Sequence, residues 1–197
     1  MLNIAVLVSG GGTNLGAIIK AAENGQFKNG RLALVISSKA GVYALERAAQ
    51  AGIPAQVIPR RECATLDEFD RKLLKTLEQY KIDLVVLAGF LTIFGESVVE
   101  RYPNRIINVH PALLPSFGGK GCYGLRVHEM VLESGVKLSG ATVHFVTREC
   151  DAGPIILQKA VEVLPGDTPQ TLQRRVMEQC EWELLPRAIA MVCGGGA

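Results

Sequence analysis

The sequence predicts an α/β protein: a doubly wound, mostly parallel sheet with an antiparallel strand pair and a closing helix near the C-terminus. Short apolar runs alternate with amphipathic stretches over residues 2–110, the order that a parallel sheet with crossover helices requires. The runs are apolar at successive positions, as in strands covered on both faces. After residue 140, two further runs are joined by a short turn, which favours an antiparallel pair.

Composition limits the classes of function. The chain has 197 residues, 48% of them hydrophobic and 20% charged, which suits one domain with a sizeable core. A net charge of +2 gives no reason to expect nucleic acid or a membrane as a partner. The five cysteines are scattered and form no CxxC pair, so we expect neither a zinc site nor a disulfide framework. With no signal peptide at the N-terminus, a cytoplasmic location is expected.

The first strand leads into a glycine turn. Leu2–Val8 is an apolar run, the residues Ser9–Asn14 include three glycines, and residues 15–22 have a helical pattern. Glycines let backbone N–H groups approach an anion at a helix N-terminus. A dinucleotide fingerprint would need glycine in place of Leu15, and a P-loop would need lysine in place of Ala17. We therefore favour a single phosphate, the alternative being a tight turn that binds no ligand.

The remaining elements follow the same alternation. Thr65 and Glu68 form a predicted capping box at the start of one helix, and Pro186 is expected to interrupt the closing helix. The sequence predicts further strands over residues 31–37, 53–58, 84–88, 106–109, 140–147 and 155–163, and helices over residues 43–51, 65–80, 92–101, 125–134 and 168–192.

Asn108 and His110 are the first candidate functional residues. They lie two positions apart on a strand that Pro111 should end, so both side chains point to one face at its carboxyl end. In open α/β sheets that end is where ligands bind. The alternative is a capped strand whose Asn and His bond nearby loop backbone.

Four further features are less specific. Residues 116–124 include four glycines and predict a mobile loop beside this site, or a plain flexible connector. His144 has the position of a satisfied core histidine, and we expect His128 at the surface. Nothing marks Cys150 as an activated thiol, so we interpret it as structural.

Four motifs together resemble the phosphoribosylglycinamide formyltransferases, folate-dependent enzymes of purine biosynthesis. The match runs in order over nearly the whole chain, and it implies a Rossmann-like formyltransferase fold. Its N-terminal glycine turn also occurs in formyltetrahydrofolate hydrolases, which carry an additional N-terminal regulatory domain. The motifs are Ser9-Gly-Gly-Gly-Thr-Asn14, Asn108-Val-His-Pro-Ala-Leu-Leu-Pro115, Thr142-Val-His-Phe-Val146 and Asp151-Ala-Gly-Pro-Ile-Ile156.

The resemblance implies transfer of a formyl group from 10-formyltetrahydrofolate, as co-substrate, to the amine of glycinamide ribonucleotide. It implies one domain over residues 1–197, with ribonucleotide bound by residues 1–110 and folate by residues 111–197. Monomer or homodimer is expected, with no metal. The implied catalytic residues are Asn108, His110 and Asp151; those for the ribonucleotide are Gly12, Thr13, Asn14 and Glu181; and those for folate are Leu91, Thr92, Ile93, Phe94, Asn108, Thr147, Arg148, Glu149, Cys150 and Asp151.

The sequence departs from the family pattern in three places. Leu66 stands where members often have an arginine on the folate side, a role for which Arg60 or Arg61 is available. The loop after Pro115 is longer than in the shortest members. The helix before Glu181 carries one extra residue.

The chemistry fits these residues independently of the resemblance. When an amine attacks a formyl carbon, a negative oxygen develops, to which Asn108 or protonated His110 can donate a hydrogen bond. A proton must also move from the amine to the leaving nitrogen, which an Asp–His pair can do. We expect Asp151 to favour the charged His110 ring. The alternatives are a hydrolase-like enzyme or a non-catalytic module that binds sugar phosphates.

Overall fold

A seven-stranded sheet organises the protein, whose computed structural model describes residues 1–195. The strand order is β3-β2-β1-β4-β5-β6-β7. The first five strands pair in parallel, β6 is antiparallel to β5, and β7 is antiparallel to β6. The predicted fold class is confirmed. The strands are β1 (Leu2–Val8), β2 (Gly30–Ser37), β3 (Ala55–Val57), β4 (Leu84–Leu87), β5 (Ile106–His110), β6 (Leu138–Phe145) and β7 (Ile155–Glu162).

Helices cover both faces of the sheet. Alternate residues of β1 point to opposite sides, so Ile4, Val6 and Val8 enter one core while Ala5 and Leu7 enter the other. The first core includes residues of α1, α2, α5, α6 and α7, and the second includes residues of α3 and α4. The helices are α1 (Thr13–Glu23), α2 (Tyr43–Gln50), α3 (Leu66–Gln79), α4 (Glu96–Arg101), α5 (Leu125–Ser134), α6 (Pro169–Val176) and α7 (Trp182–Gly194).

The topology creates a crevice at the carboxyl ends of β1 and β4. From β1 the chain continues to β2 and β3 on one side, then crosses to β4 and β5 on the other. Connections therefore diverge between β1 and β4, and this switch point is where open α/β sheets bind ligands. The glycine turn follows β1, and residues 88–95 follow β4, so both line this crevice.

Several predicted boundaries are corrected. The strand predicted over residues 53–58 is only Ala55–Val57, and the helix predicted from residue 92 begins at Glu96, because the Asp70 carboxylate accepts the Gly95 N–H at 3.0 Å. The capping box of α3 is half present. Thr65 accepts the Glu68 N–H at 3.1 Å, but the Glu68 carboxylate accepts from Ala64 instead of from Thr65.

The closing helix is interrupted at a different place from the one predicted. The interruption is a π-helical turn, Met177–Glu181, whereas Pro186 lies inside α7. A π turn inserts one residue into an α-helix by lengthening its hydrogen-bonded ring. The turn ends on Glu181, so it lies where the resemblance implies one extra residue.

Within residues 1–195, the structure has no helix that combines the length and the apolar character needed to cross a bilayer.

Candidate active site

Asn108 and His110 lie together at the carboxyl end of β5, as predicted. Their antiparallel partners in β6 are His144 and Thr142, respectively. The Asn108 Nδ2 donates to His144 Nε2 at 3.2 Å, and the other ring nitrogen, Nδ1, donates to the Phe145 carbonyl at 2.9 Å. His144 is 1% exposed, which confirms it as a buried, hydrogen-bonded histidine.

Asp151 approaches the same point from the turn between β6 and β7. Its Oδ2 lies 3.5 Å from His110 Nδ1, and its Oδ1 lies 3.6 Å from His144 Nε2. Asp151 has a φ of +55°, a left-handed conformation that Asp and Asn tolerate better than most residues. A side chain at Gly153 would place its Cβ 1.8 Å from the Phe145 carbonyl oxygen, so only glycine lets this turn fold so closely over the end of β6. The three predicted catalytic residues therefore converge.

Burial and charge act in opposite directions on the two titrating groups. Burial lowers the pKa of His110 from its ordinary 6.5, and this outweighs the raising effect of the Asp151 carboxylate. Burial raises the pKa of Asp151, but the neighbouring His144 and His110 rings and the hydrogen bond from the Gly119 N–H together bring it below its ordinary value. Asp151 favours the charged His110 ring, as expected, but desolvation has the larger effect, so the net shift of the His110 pKa is downward.

The glycine-rich loop, residues 116–124, makes two contacts with these groups. The His110 Nε2 donates to the Phe117 carbonyl at 2.8 Å, and the Gly119 N–H donates to Asp151 Oδ2 at 2.9 Å. In this arrangement backbone atoms of the loop satisfy polar groups that face the crevice.

We predict that this loop exchanges its amide hydrogens rapidly without ligands and slowly with folate bound. Ordering a backbone costs about 1–2 kcal/mol per residue, and glycine loses the most freedom. Hydrogen exchange followed by mass spectrometry checks this, with α5 as the internal control. Equal protection of the loop in both states would contradict the prediction.

Two residues that sequence reasoning missed fix the chain after His110. The Thr142 hydroxyl donates to the Ala112 carbonyl at 2.7 Å and accepts the Leu114 N–H at 3.0 Å. The Gln158 amide donates to the Leu114 carbonyl and to Thr142 Oγ1, both at 2.9 Å. The available signal was a buried threonine opposite His110 in the sheet. Recognising it requires the register between β5 and β6.

The glycine turn meets the closing helix through one short hydrogen bond. Asn14 and Glu181 are both buried, and the Asn14 Nδ2 donates to Glu181 Oε2 at 2.6 Å. Burial raises the pKa of Glu181, an effect that this hydrogen bond partly offsets. Asn14 Oδ1 has no hydrogen-bond partner among residues 1–195. Gly12 and Thr13 begin α1 with no capping side chain, so its first N–H groups remain available to an anion.

Apart from Asn108 of β5, the residues that the resemblance assigns to folate lie on two segments. The first, residues 91–94, exposes Leu91 by 57% and Ile93 by 71%, with Thr92 and Phe94 partly buried, and the Leu91 N–H donates to Ser9 Oγ at 2.9 Å. Residues 147–151 form the second. They include Thr147, whose hydroxyl donates to the Glu149 carbonyl at 3.2 Å, and Arg148, which forms ion pairs with Glu96 and Glu100 of α4. Arg148 thereby links the second segment to α4, the helix that follows the first segment.

Two expectations for single residues are corrected. His128 is 0% exposed instead of lying at the surface, because it shares the inward face of α5 with Val131. Neither ring nitrogen has a partner in the described part of the chain, and burial lowers the pKa of His128 to about 4.

Cys150 is exposed, not part of the core. Desolvation and the adjacent Asp151 raise the pKa of its thiol, so it is not activated.

An open groove of about 770 Å³ adjoins the glycine turn on its outer side, between α1, α2 and α7. Thr13, Arg47 and Trp182 contribute to its walls, so the groove reaches the N-terminal end of α1 but not His110. Over residues 1–195, no three His, Cys, Asp or Glu side chains are grouped so that they could hold a metal ion.

Comparison with known proteins gives consistent matches. The family model described as "Formyl transferase" matches residues 2–189. The chain is 43% identical to the trifunctional purine biosynthetic protein adenosine-3 of Gallus gallus, over 98% of this chain and 19% of that one. It is 40% identical to the phosphoribosylglycinamide formyltransferase of Escherichia coli K12, over 98% and 88% of the two chains.

A solved structure extends the match to three dimensions. Glycinamide ribonucleotide transformylase 1 from Symbiobacterium toebii has a TM-score of 0.92 and 44% identity, covering 99% of this chain and 89% of that one. The chain spans only about a fifth of the trifunctional avian protein, but most of the bacterial ones.

Proposed function

Because the chain belongs to the formyl transferase family, we propose that it transfers the formyl group of 10-formyltetrahydrofolate to the amine of glycinamide ribonucleotide in purine biosynthesis. The observation that carries the proposal is the convergence of an amide, an imidazole and a carboxylate beside an uncapped helix N-terminus. Asn108, His110 and Asp151 form the reacting end of the crevice, and the Gly10–Asn14 turn supplies the anion-binding end.

The chemistry of each of these three side chains suits one step of formyl transfer. Attack of the amine on the formyl carbon forms a tetrahedral centre with a negative oxygen, which the Asn108 amide stabilises by donating a hydrogen bond. The neutral His110 ring accepts a proton at Nδ1, and Asp151, 3.5 Å away, stabilises the resulting cation. The proton then reaches the leaving folate nitrogen, and the formyl carbon–nitrogen bond breaks. No covalent nucleophile is needed.

The two substrates fit separate surfaces. Exposed apolar side chains, Leu91 and Ile93, suit the flat pterin ring next to the Asp151 turn. The buried Asn14–Glu181 pair offers an oxygen without a partner, Asn14 Oδ1, and a carboxylate, and both suit an amine-bearing substrate whose phosphate lies at the glycine turn.

A spectrophotometric assay tests the proposal. Loss of the formyl group changes the absorbance of 10-formyltetrahydrofolate, and we expect this change only when glycinamide ribonucleotide is present. Deformylation without the ribonucleotide would favour a hydrolase, in which water replaces the amine. If neither reaction occurs while the ribonucleotide still binds, the protein is a binding module.

Replacing Glu181 by glutamine is expected to raise the Michaelis constant for the ribonucleotide about 10- to 100-fold, the range for hydrogen bonds to a charged group. Glutamine still accepts from Asn14 but lacks the charge. Steady-state kinetics check this, with Glu178→Gln as the control, since Glu178 is exposed and its ion-pair partner within residues 1–195 is Arg174. An unchanged Michaelis constant would remove Glu181 from the site.

The same change should stabilise the ligand-free protein at neutral pH. A carboxyl group with a raised pKa contributes stability below its ordinary value of 4.5, and this contribution is lost as the pH rises through the raised value. Glutamine cannot ionise, so the variant's advantage should appear at about pH 8 and vanish at about pH 4. Thermal unfolding at both pH values measures this.

A cytoplasmic location, and a monomer or homodimer in solution, remain predictions.

A further inference from the structure

Helix α2 packs directly against the outer side of the glycine turn. The Ala44 N–H donates to the Gly10 carbonyl at 3.3 Å, and the Arg47 Nε donates to the Gly11 carbonyl at 3.1 Å. Two successive carbonyls of the turn therefore point towards one helix. A glycine at position 12 permits this contact, because a Cβ there would lie 2.7 Å from Ala44 Cβ, and its φ is +68°.

These two carbonyls decide where the next two N–H groups point. A trans peptide is planar, so its C=O and N–H point in opposite directions. With the Gly10 and Gly11 carbonyls held by α2, the N–H groups of Gly11 and Gly12 point away from α2. Successive N–H groups on one side of a turn make a concavity that binds anions.

Three consecutive glycines cannot maintain that arrangement alone. Glycine populates many backbone conformations about equally, so a peptide between two glycines rotates at little cost. The Arg47 guanidinium is itself held in place. Its central carbon lies 4.8 Å from the centre of the Tyr43 ring, and its Nη1 occupies space that a side chain at Gly16 would fill, 3.0 Å from the Cβ position there.

We propose that Arg47 is a positioning residue, which holds the Gly10–Asn14 turn in its phosphate-binding conformation through the Gly11 carbonyl. The inference rests on the proposed function for the identity of the anion, the phosphate of the ribonucleotide. Arg47 acts on the opposite side of the turn from the phosphate, and its positive charge adds to the favourable field there.

The test is Arg47→Gln, measured by calorimetric binding of glycinamide ribonucleotide, its unphosphorylated riboside and inorganic phosphate. We expect the dissociation constants of the ribonucleotide and of phosphate to rise about 10- to 100-fold, and that of the riboside to stay the same. Turnover at saturating ribonucleotide should change less than about twofold. The phosphate contact stabilises the bound substrate and the transition state equally, so weakening it leaves the rate of the bound complex almost unchanged. Arg71→Gln is the matched control, since Arg71 Nε also donates to a backbone carbonyl, that of Asp67 at 3.3 Å, on the other face of the sheet.

Two further variants separate positioning from charge. Arg47→Lys keeps the charge but lacks the planar donor, so it should recover only part of the phosphate affinity; full recovery would overturn the role of the hydrogen bond. If Arg47→Gln proves unstable, Tyr43→Leu is the substitute, because Tyr43 is exposed. It keeps Arg47 but removes the ring that holds the guanidinium, so it should weaken phosphate binding to a smaller extent. Equal losses for riboside and ribonucleotide, or no loss of phosphate affinity, would overturn the inference. Binding needs no turnover, so failure of formyl transfer in the wild type is a separate result that counts against the proposed function alone.

Discussion

Replacing Asp151 by asparagine is expected to lower turnover by about two to four orders of magnitude, the range for loss of an acid–base group. The carboxylate lies 3.5 Å from His110 Nδ1 and 3.6 Å from His144 Nε2, and it is the acid placed between both rings. Asparagine has the same shape and tolerates the φ of +55°, so the variant tests charge with little backbone strain.

The same variant should move the acid limb of the pH–rate profile to lower pH. Asp151 raises the pKa of His110 against the larger effect of burial, so its loss lets that pKa fall further below 6.5. The His110 ring then stays neutral down to a lower pH. A ring with a lower pKa is also a weaker base, so turnover on the plateau of the profile falls while the acid limb shifts.

Turnover against pH at saturating substrates measures both effects. Asp83→Asn is the matched control, because Asp83 accepts the Asn3 N–H at the amino-terminal ends of β1 and β4 and should leave the profile unchanged. A uniform drop with the wild-type profile would mean that Asp151 is not the partner of His110, and that the proton travels another way.

The sheet could be predicted from sequence because each parallel strand is apolar at successive positions. Ile4 to Val8, for example, all lie in one of two cores, so the run itself reports burial on both faces. Helix ends were harder, since they depend on distant partners. The start of α4 is set by Asp70, a residue of α3 that no local pattern connects to Gly95.

The convergence of Asn108, His110 and Asp151 was predicted by motif and strand geometry, whereas the surroundings of these residues depend on tertiary contacts. Asn108 and His110 share a face because they are two residues apart on a strand. The lowered pKa of His110 depends on burial, which sequence does not report. His128 was within reach of sequence reasoning, since it lies three residues before Val131 on one helical stripe. Arg47 was not, because its partner is a backbone carbonyl 36 residues away.

Replacing Asn108 by alanine is expected to lower turnover by about two to three orders of magnitude at every pH, as loss of an oxyanion donor does. Asn108 has no titrating group, and its amide donates to His144 Nε2 at 3.2 Å in the free protein. The side chain therefore orients and donates without taking up a proton. Alanine removes the donor and leaves the β5–β6 pairing intact, since that pairing uses only the backbone.

The decisive comparison is between the two pH–rate profiles, that of Asn108→Ala and that of Asp151→Asn. The first should be displaced downwards with its shape retained, while the second should also shift along the pH axis. Ribonucleotide affinity should be unchanged in the first, because the phosphate is assigned to a different turn. Asn3→Ala is the control, since its amide also donates one hydrogen bond, to the Lys81 carbonyl at 2.8 Å, far from the crevice. If Asn108→Ala shifts the profile, the amide acts on the titrating groups through His144 instead of on the oxyanion, and the donor at that position must be sought elsewhere.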